Sequence, residues 1–183
     1  MCSRYSLGYA LDLSDTASDI ERFLDNEENI SPYFRNMYEN GRVFPMGLTT
    51  NYEGYKFAHE VGLGFLKFTE EEGPFYIHCV EGKDRTGFVC VLLLALAGAS
   101  LEEITDDYML SYDNYYGINK LSDPEKYEVI VKHKAEDFYK AISKKNGTDE
   151  ITAENVMRGS EKYLEEGGLT KDEIKRIKEA ITE

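Results

Sequence analysis

The chain has 183 residues, with 35 acidic against 21 basic side chains and a net charge of −14. That length suffices for one enzyme domain with a two- or three-layer core and falls short of two ordinary domains, so a single domain over residues 1–183 is expected. The negative balance argues against nucleic acid or an anionic membrane as a general partner. Three unevenly spaced cysteines make no disulfide framework, and no Cys/His spacing suggests zinc, with His59 and His133 standing alone on helical segments. No cofactor is implied.

Along the chain, the run from Leu7 to Ser14 reads as a core strand reached after only a few residues. A helix is expected from about Asp15 to Leu24. A second has Ser31 as N-cap and Pro32 at its first position, and stops at Gly41. Val43 to Met46 reads as a short strand. A long helix from about Tyr52 to Glu71 has Phe57, Val61, Phe65 and Phe68 approximating one face. Bounded by Gly73-Pro74, it would deliver the chain to the central strand, the apolar run ending at His78, which reads as buried. From Thr86 to Gly98 the sequence is apolar on nearly every face and predicts a buried helix. Three or four more follow: Ser100-x-x-Glu103 is a capping box for one, Asp123-Pro124 opens another ending near Gly147, and Thr170-x-x-Glu173 caps the last. The expected fold class is α/β, a small, mainly parallel sheet flanked by helices with a helical C-terminal half. No signal peptide or membrane span is visible, because the longest apolar run, Phe88 to Ala97, is far too short to cross a bilayer.

The junction between the third strand and its helix carries the chemistry. His78-Cys79-Val80-Glu81-Gly82-Lys83-Asp84-Arg85-Thr86-Gly87 fits H-C-x-x-G-x-x-R-[S/T]-G. At average residue usage, chance would produce that pattern in such a chain with a probability on the order of one in a million. A cysteine where a strand ends, followed by a loop and a helix N-terminus, places backbone N–H groups of Val80 through Gly87 around an anion. The helix N-terminus, Arg85 and Lys83 should all favour the thiolate of Cys79, which is the nucleophilic form. Arg85 presents a planar fork that matches two phosphate oxygens. Gly82 lets the loop turn without crowding the cradle, and Thr86 can stabilise sulfur as a leaving group. His78 is placed to orient the loop rather than to act as a base. Lys83 beside Arg85 would suit a highly charged ligand, or would merely be solvated. Cys2 and Cys90 read as incidental. Tyr108, Tyr112 and Tyr115 share helical spacing and, with Tyr116, form an aromatic cluster read as a packed face rather than a substrate wall.

These residues resemble the signature of the cysteine-dependent protein tyrosine phosphatase superfamily. The Gly82-Lys83-Asp84-Arg85 core is similar to a bacterial branch whose members act on phosphotyrosine, phosphoserine/threonine and phosphoinositides. Leu101 to Ser111 looks like that branch's post-loop helix, and Tyr163 to Thr170 looks like its C-terminal helical pair. The resemblance runs from about Leu11 to the end and implies a two-step hydrolysis through a cysteinyl-phosphate at Cys79, with Arg85 binding the phosphoryl group. Its substrate would be a phosphorylated protein or a small phosphomonoester, with no stable membrane insertion. Members of this branch are often exported, whereas a reduced thiolate is easiest to keep in the cytoplasm. The branch usually carries an additional N-terminal segment, with an edge strand and an Asn-Phe-Arg-Asp-like stretch, that is not found here.

The general acid departs from the superfamily pattern. No Trp-Pro-Asp occurs, the chain lacks tryptophan, and the stretch expected to hold the acid-bearing loop, Ser31 to Gly41, contains no aspartate. In the resembled branch Asp84 is the proposed replacement; the alternative is that Asp84 only salt-bridges a neighbouring helix or loop. Glu39, Asp25 and Asp107 are poorer candidates. Rival functions are a phospho-ligand binding module without turnover, an arsenate reductase or sulfurtransferase, and a phytate-type phosphatase of the same chemistry.

Overall fold

The computed structural model describes residues 8–26 and 30–182; the expectations for Leu7 and Cys2 lie outside them. Three parallel strands, β1 (Tyr9–Asp12), β2 (Val43–Pro45) and β3 (Phe75–His78), form a sheet in the order β2-β1-β3. β1 is central, with Ala10 facing Val43 on one side and Asp12 facing His78 on the other. Helices α1 (Ala17–Asn26) and α2 (Pro32–Glu39) connect β1 to β2, and α3 (Tyr55–Glu70) connects β2 to β3. Beyond β3 come α4 (Arg85–Leu96), α5 (Leu101–Tyr116), α6 (Pro124–Ile130), α7 (Glu136–Lys145), α8 (Ala153–Glu166) and α9 (Lys171–Thr182). The α/β class and the helical C-terminal half are as the sequence predicts.

Strand alternation splits the core in two. Tyr9 and Leu11 join the large cluster formed with α3, α4 and the C-terminal helices. Ala10 points the other way, to a small cluster with Ile20 of α1, Met37 of α2 and Val43. β3 is not the central buried strand that its apolar run suggested. Among the described residues it pairs only with β1, and although Phe75 and Ile77 pack on the large cluster, Tyr76 is 50% exposed and stacks on His78. Tyrosine reads as apolar in a sequence pattern yet tolerates a wet face.

The helix boundaries follow their caps. α1 starts later than expected because Thr16 and Asp19 bond reciprocally across its first turn, Asp19 N–H donating to Thr16 Oγ1 and Thr16 N–H to Asp19 Oδ2. Pro32 opens α2, but the Ser31 side chain makes no capping bond. α3 starts at Tyr55 with Gly54 as N-cap, leaving Tyr52 in the loop before it. The capping boxes at Ser100/Glu103 and Thr170/Glu173 are both formed. The expected helix from Asp123 to Gly147 is interrupted by a π-helical turn, Val131–Ala135. Tyr127 and Tyr139 are both buried, yet their separation would leave them about a third of a turn out of phase in a regular α-helix. The extra residue of a π turn rephases them onto one face.

α4 and α8 form the centre of the helical half: α4 packs on α5, α7 and α8, and α8 also packs on α3, α7 and α9. At their crossing Phe88, 2% exposed, meets the rings of Tyr52, Phe57, Phe138 and Tyr163 at centroid distances of 4.8, 5.8, 5.3 and 5.5 Å. The tyrosine cluster divides: Tyr108 and Tyr112 are buried as expected, whereas Tyr115 and Tyr116 are exposed at the end of α5. Among the described residues no helix is long and apolar enough to cross a membrane. Phe88→Ala is expected to cost about 3 to 5 kcal/mol of folding stability, read by denaturant unfolding; a loss below about 1 kcal/mol would contradict the central place of this ring.

Candidate active site

Three connections meet at the C-terminal edge of the sheet, where ligands of open α/β sheets bind: residues 13–16 after β1, 46–54 after β2 and 79–84 after β3. Their backbones interlock. Leu13 N–H donates to His78 C=O at 2.9 Å, Leu48 N–H to Leu13 C=O at 2.9 Å, and Gly47 N–H to Asp15 C=O at 2.9 Å. Asp12, buried at the end of β1, turns the first connection by accepting from Ser14 and Asp15 N–H at 2.9 and 3.1 Å. His78 Nδ1 lies 3.9 Å from the Asp12 carboxylate, so the histidine before the cysteine faces a carboxylate on the neighbouring strand. Sequence reading did not single out Asp12. Its signal was a carboxylate closing the run Tyr9-Ala10-Leu11, unremarkable without the strand order.

Cys79 leaves β3 and the chain wraps to Arg85, the first residue of α4. Burial alone would raise the Cys79 pKa, but the Thr86 hydroxyl and the backbone N–H groups of Thr86, Gly82 and Glu81 outweigh it and hold the thiol below its ordinary value. Thr86 Oγ1 is itself buried and has no partner of ordinary hydrogen-bonding geometry among the described residues. The sequence reading credits the helix N-terminus together with Arg85 and Lys83, and of these the amides stand out here. Lys83 Nζ is bound at 2.8 Å by both Glu81 Oε2 and Asp84 Oδ2, which raise its pKa and cancel its charge locally. Arg85 Nη1 donates to the Leu48 carbonyl at 2.7 Å, a contact that fixes one arm of the guanidinium and leaves donors on the other. Val80, 74% exposed, contributes no side-chain packing to the loop.

The two glycines of the motif serve different needs. A Cβ on Gly82 would meet nothing within 4 Å, so crowding is not the reason for glycine; its φ of +74° is. A Cβ on Gly87 would lie 2.6 Å from Cε2 of Tyr108, so glycine there lets the α5 tyrosine close against α4.

Asp84 sits at the N-cap of α4 without capping it, its side chain 39% exposed and its Oδ2 held by Lys83. The other acid candidates lie elsewhere. Glu39 pairs with Arg35 on the surface of α2, and Asp25 is exposed on α1. Asp107 is raised in pKa by burial and acts on Cys90, whose thiol burial pushes up to about 12. The stretch from Ser31 to Gly41 is α2, packed on the small cluster. The segment beside Arg85 is instead 46–54, which contains Glu53 and no aspartate. Asp15, raised by burial and then by Asp12 and Asp19, is close enough to Arg85 and His78 to feel both. Among the described residues no cluster of His, Cys, Asp and Glu could hold a metal. The arrangement offers a sulfur whose thiolate form is favoured, loop amides and a half-tethered guanidinium, the means to hold a tetrahedral oxyanion over a nucleophile.

The profile of the tyrosine phosphatase family matches residues 13–183. A tyrosine-protein phosphatase of Nostoc commune is 43% identical over 54 residues, 30% of this chain and 18% of that protein. A Cupriavidus necator protein that also carries a tyrosine-protein phosphatase name is 38% identical over 52 residues, 28% of this chain and 19% of its own. The match thus spans under a fifth of either relative. No solved structure matches.

With Cys2 replaced by Ser, iodoacetamide should label Cys79 at a pH below the ordinary thiol range and leave Cys90 unlabelled until the chain unfolds. Thr86→Ala should move the pH midpoint of Cys79 labelling upward, because the removed hydroxyl favours the thiolate; an unmoved midpoint would assign the lowered pKa to the amides alone.

Proposed function

The chain belongs to the tyrosine phosphatase family, and from that membership we propose that it hydrolyses phosphomonoesters, phosphotyrosine foremost, through a cysteinyl-phosphate at Cys79. The observation that carries this reading is the Cys79 thiol, lowered in pKa by the Thr86 hydroxyl and the amides of Glu81, Gly82 and Thr86, on the same loop as an arginine with one arm tethered. In the first step the thiolate attacks phosphorus, the P–O bond to the alcohol breaks, and Asp84 gives the leaving oxygen its proton. Arg85 and the amides of residues 80–87 bind the non-bridging oxygens. In the second step Asp84 takes a proton from water as the water oxygen bonds to phosphorus, the P–S bond breaks, inorganic phosphate leaves, and the Thr86 hydroxyl stabilises the departing thiolate.

The pairing of Lys83 bears on substrate class. A second phosphate on a phosphoinositide or phytate would have to displace Glu81 or Asp84 from that ammonium, whereas a monophosphate needs no such exchange. This favours phosphotyrosine or phosphoserine/threonine over polyphosphorylated inositols, and it makes the Gly-Lys-Asp-Arg core a loop that neutralises its own lysine. Asp84 as general acid uses Oδ1, which accepts no hydrogen bond among the described residues, while Lys83 holds Oδ2.

The direct test is a turnover panel of a phosphotyrosine peptide, a phosphoserine peptide, a phosphoinositide and phytate. The phosphotyrosine peptide should rank first, and Cys79→Ser should abolish its hydrolysis while retaining binding of inorganic phosphate. Phosphate binding without turnover by the native chain would make it a binding module instead. Asp84→Asn should slow alkyl phosphates and phosphotyrosine by roughly 10²- to 10⁴-fold in single turnover, and an aryl phosphate with an acidic leaving group far less. Equal losses for all substrates would assign Asp84 to holding the loop through Lys83.

A further inference from the structure

The segment after β2 touches the cysteine loop at two points. One is the Leu48 carbonyl on Arg85. The other is Tyr52, whose ring lies nearly parallel to Phe88, one turn into α4, at 4.8 Å and 23°. The edges of that ring are closed by Phe57 and Phe138, both T-shaped to it at 5.3 and 5.5 Å, and its backbone carbonyl accepts from the Tyr163 hydroxyl. The ring is therefore held against Phe88 on one face and by two rings at its edges. Its hydroxyl is the part left over. Tyr52 is only half-buried, and among the described residues its hydroxyl makes no hydrogen bond. The charged groups around it are Asp84, Cys79, Arg85 and Lys83, all from the cysteine loop.

We propose that Tyr52 is a substrate-binding residue whose hydroxyl donates a hydrogen bond to a phosphoryl oxygen on the Asp84 side of the cradle. The inference rests on the phosphatase reading above and adds a contact from outside the motif. Three physical points support it. A phenol clamped by three rings spends no rotamer entropy on binding an anion. Burial, with Asp84 and Cys79 nearby, pushes its pKa up to about 12, so it remains a neutral donor and brings no negative charge to the anion. The donors that act on the sulfur belong to residues 81–86, and Tyr52 belongs to the segment that holds Arg85.

The test is isothermal titration of inorganic phosphate into the full chain and its Tyr52→Phe variant, with kcat/KM for a phosphotyrosine peptide alongside. Because the hydroxyl is unpartnered in the empty protein, Tyr52→Phe should leave the melting temperature without phosphate unchanged. Phosphate affinity and kcat/KM should each fall by roughly 10- to 100-fold, the range for a hydrogen bond to a charged acceptor. The ratio to wild type should stay constant from about pH 6 to about pH 9, since a phenol of that pKa does not titrate there. Unchanged affinity in a native chain that binds phosphate and turns over substrate would overturn the assignment and leave the phosphatase reading standing. A lowered melting temperature with unchanged affinity would overturn it in favour of a packing role. A ratio that varies with pH would overturn it in favour of proton transfer through the phenol. A native chain that neither binds phosphate nor hydrolyses the peptide would overturn both readings.

Discussion

A helix can aim its free N-terminal amides at an anion only if it cannot roll away, and the site depends on how α4 is pinned. Gly87, Phe88, Val89, Val91, Leu92, Ala95 and Leu96 of α4 are all buried, and Arg85 and Thr86 at its N-terminus are partly buried. Phe88 is the pin, packed among aromatic rings of the β2–α3 connection, α3, α7 and α8. Tyr108 closes against Gly87 from α5. The direction in which Arg85 and Thr86 leave the helix is thereby set by packing on helices far apart in sequence. The lowering of the Cys79 pKa depends on that placement, because the hydroxyl and amides that favour its thiolate act against burial, which opposes the charge.

The charge balance around the loop gives the same emphasis. In a chain of net charge −14, Glu81 and Asp84 face Lys83, and Asp12 and Asp15 stand beside His78. On the proposed reading, the attraction for an anion comes from oriented dipoles, one guanidinium and hydroxyls, not from a basic patch. Such a site discriminates by geometry more than by charge count, consistent with a monophosphate fitted closely and with the weight placed on Tyr52.

Much of this was legible in the sequence where local chemistry decides it. Ser100-x-x-Glu103 and Thr170-x-x-Glu173 specify caps within four residues, and the motif from His78 to Gly87 places a cysteine between strand and helix by spacing alone. The tyrosine phosphatase resemblance drawn from that motif agrees with the family match over residues 13–183. What the sequence hid was set by contacts between distant segments. The strand order makes β1 central and exposes Tyr76, and no property of Phe75 to His78 encodes it. The π turn at Val131 rephases two tyrosines for the sake of partners on other helices. Leu48 and Tyr52 carry no motif, and they matter because the connection after β2 lies against Arg85, where a search confined to Ser31–Gly41 could not find them. Lys83 and Arg85 looked alike as loop cations, and only the positions of Glu81, Asp84 and Leu48 separate them.

On the proposed mechanism the Cys79 sulfur, favoured as thiolate by its surroundings, accepts a phosphoryl group. Quenching the chain in acid during steady turnover of a phosphotyrosine peptide, then digesting it and weighing the fragments, reads that event directly. The account requires a fraction of the chain to be heavier by one phosphoryl group, carried on the fragment containing Cys79 and absent from the Cys79→Ser variant. Turnover at full rate with Cys79 unmodified under a quench fast enough to catch the intermediate, or with the added mass on another residue, would contradict it.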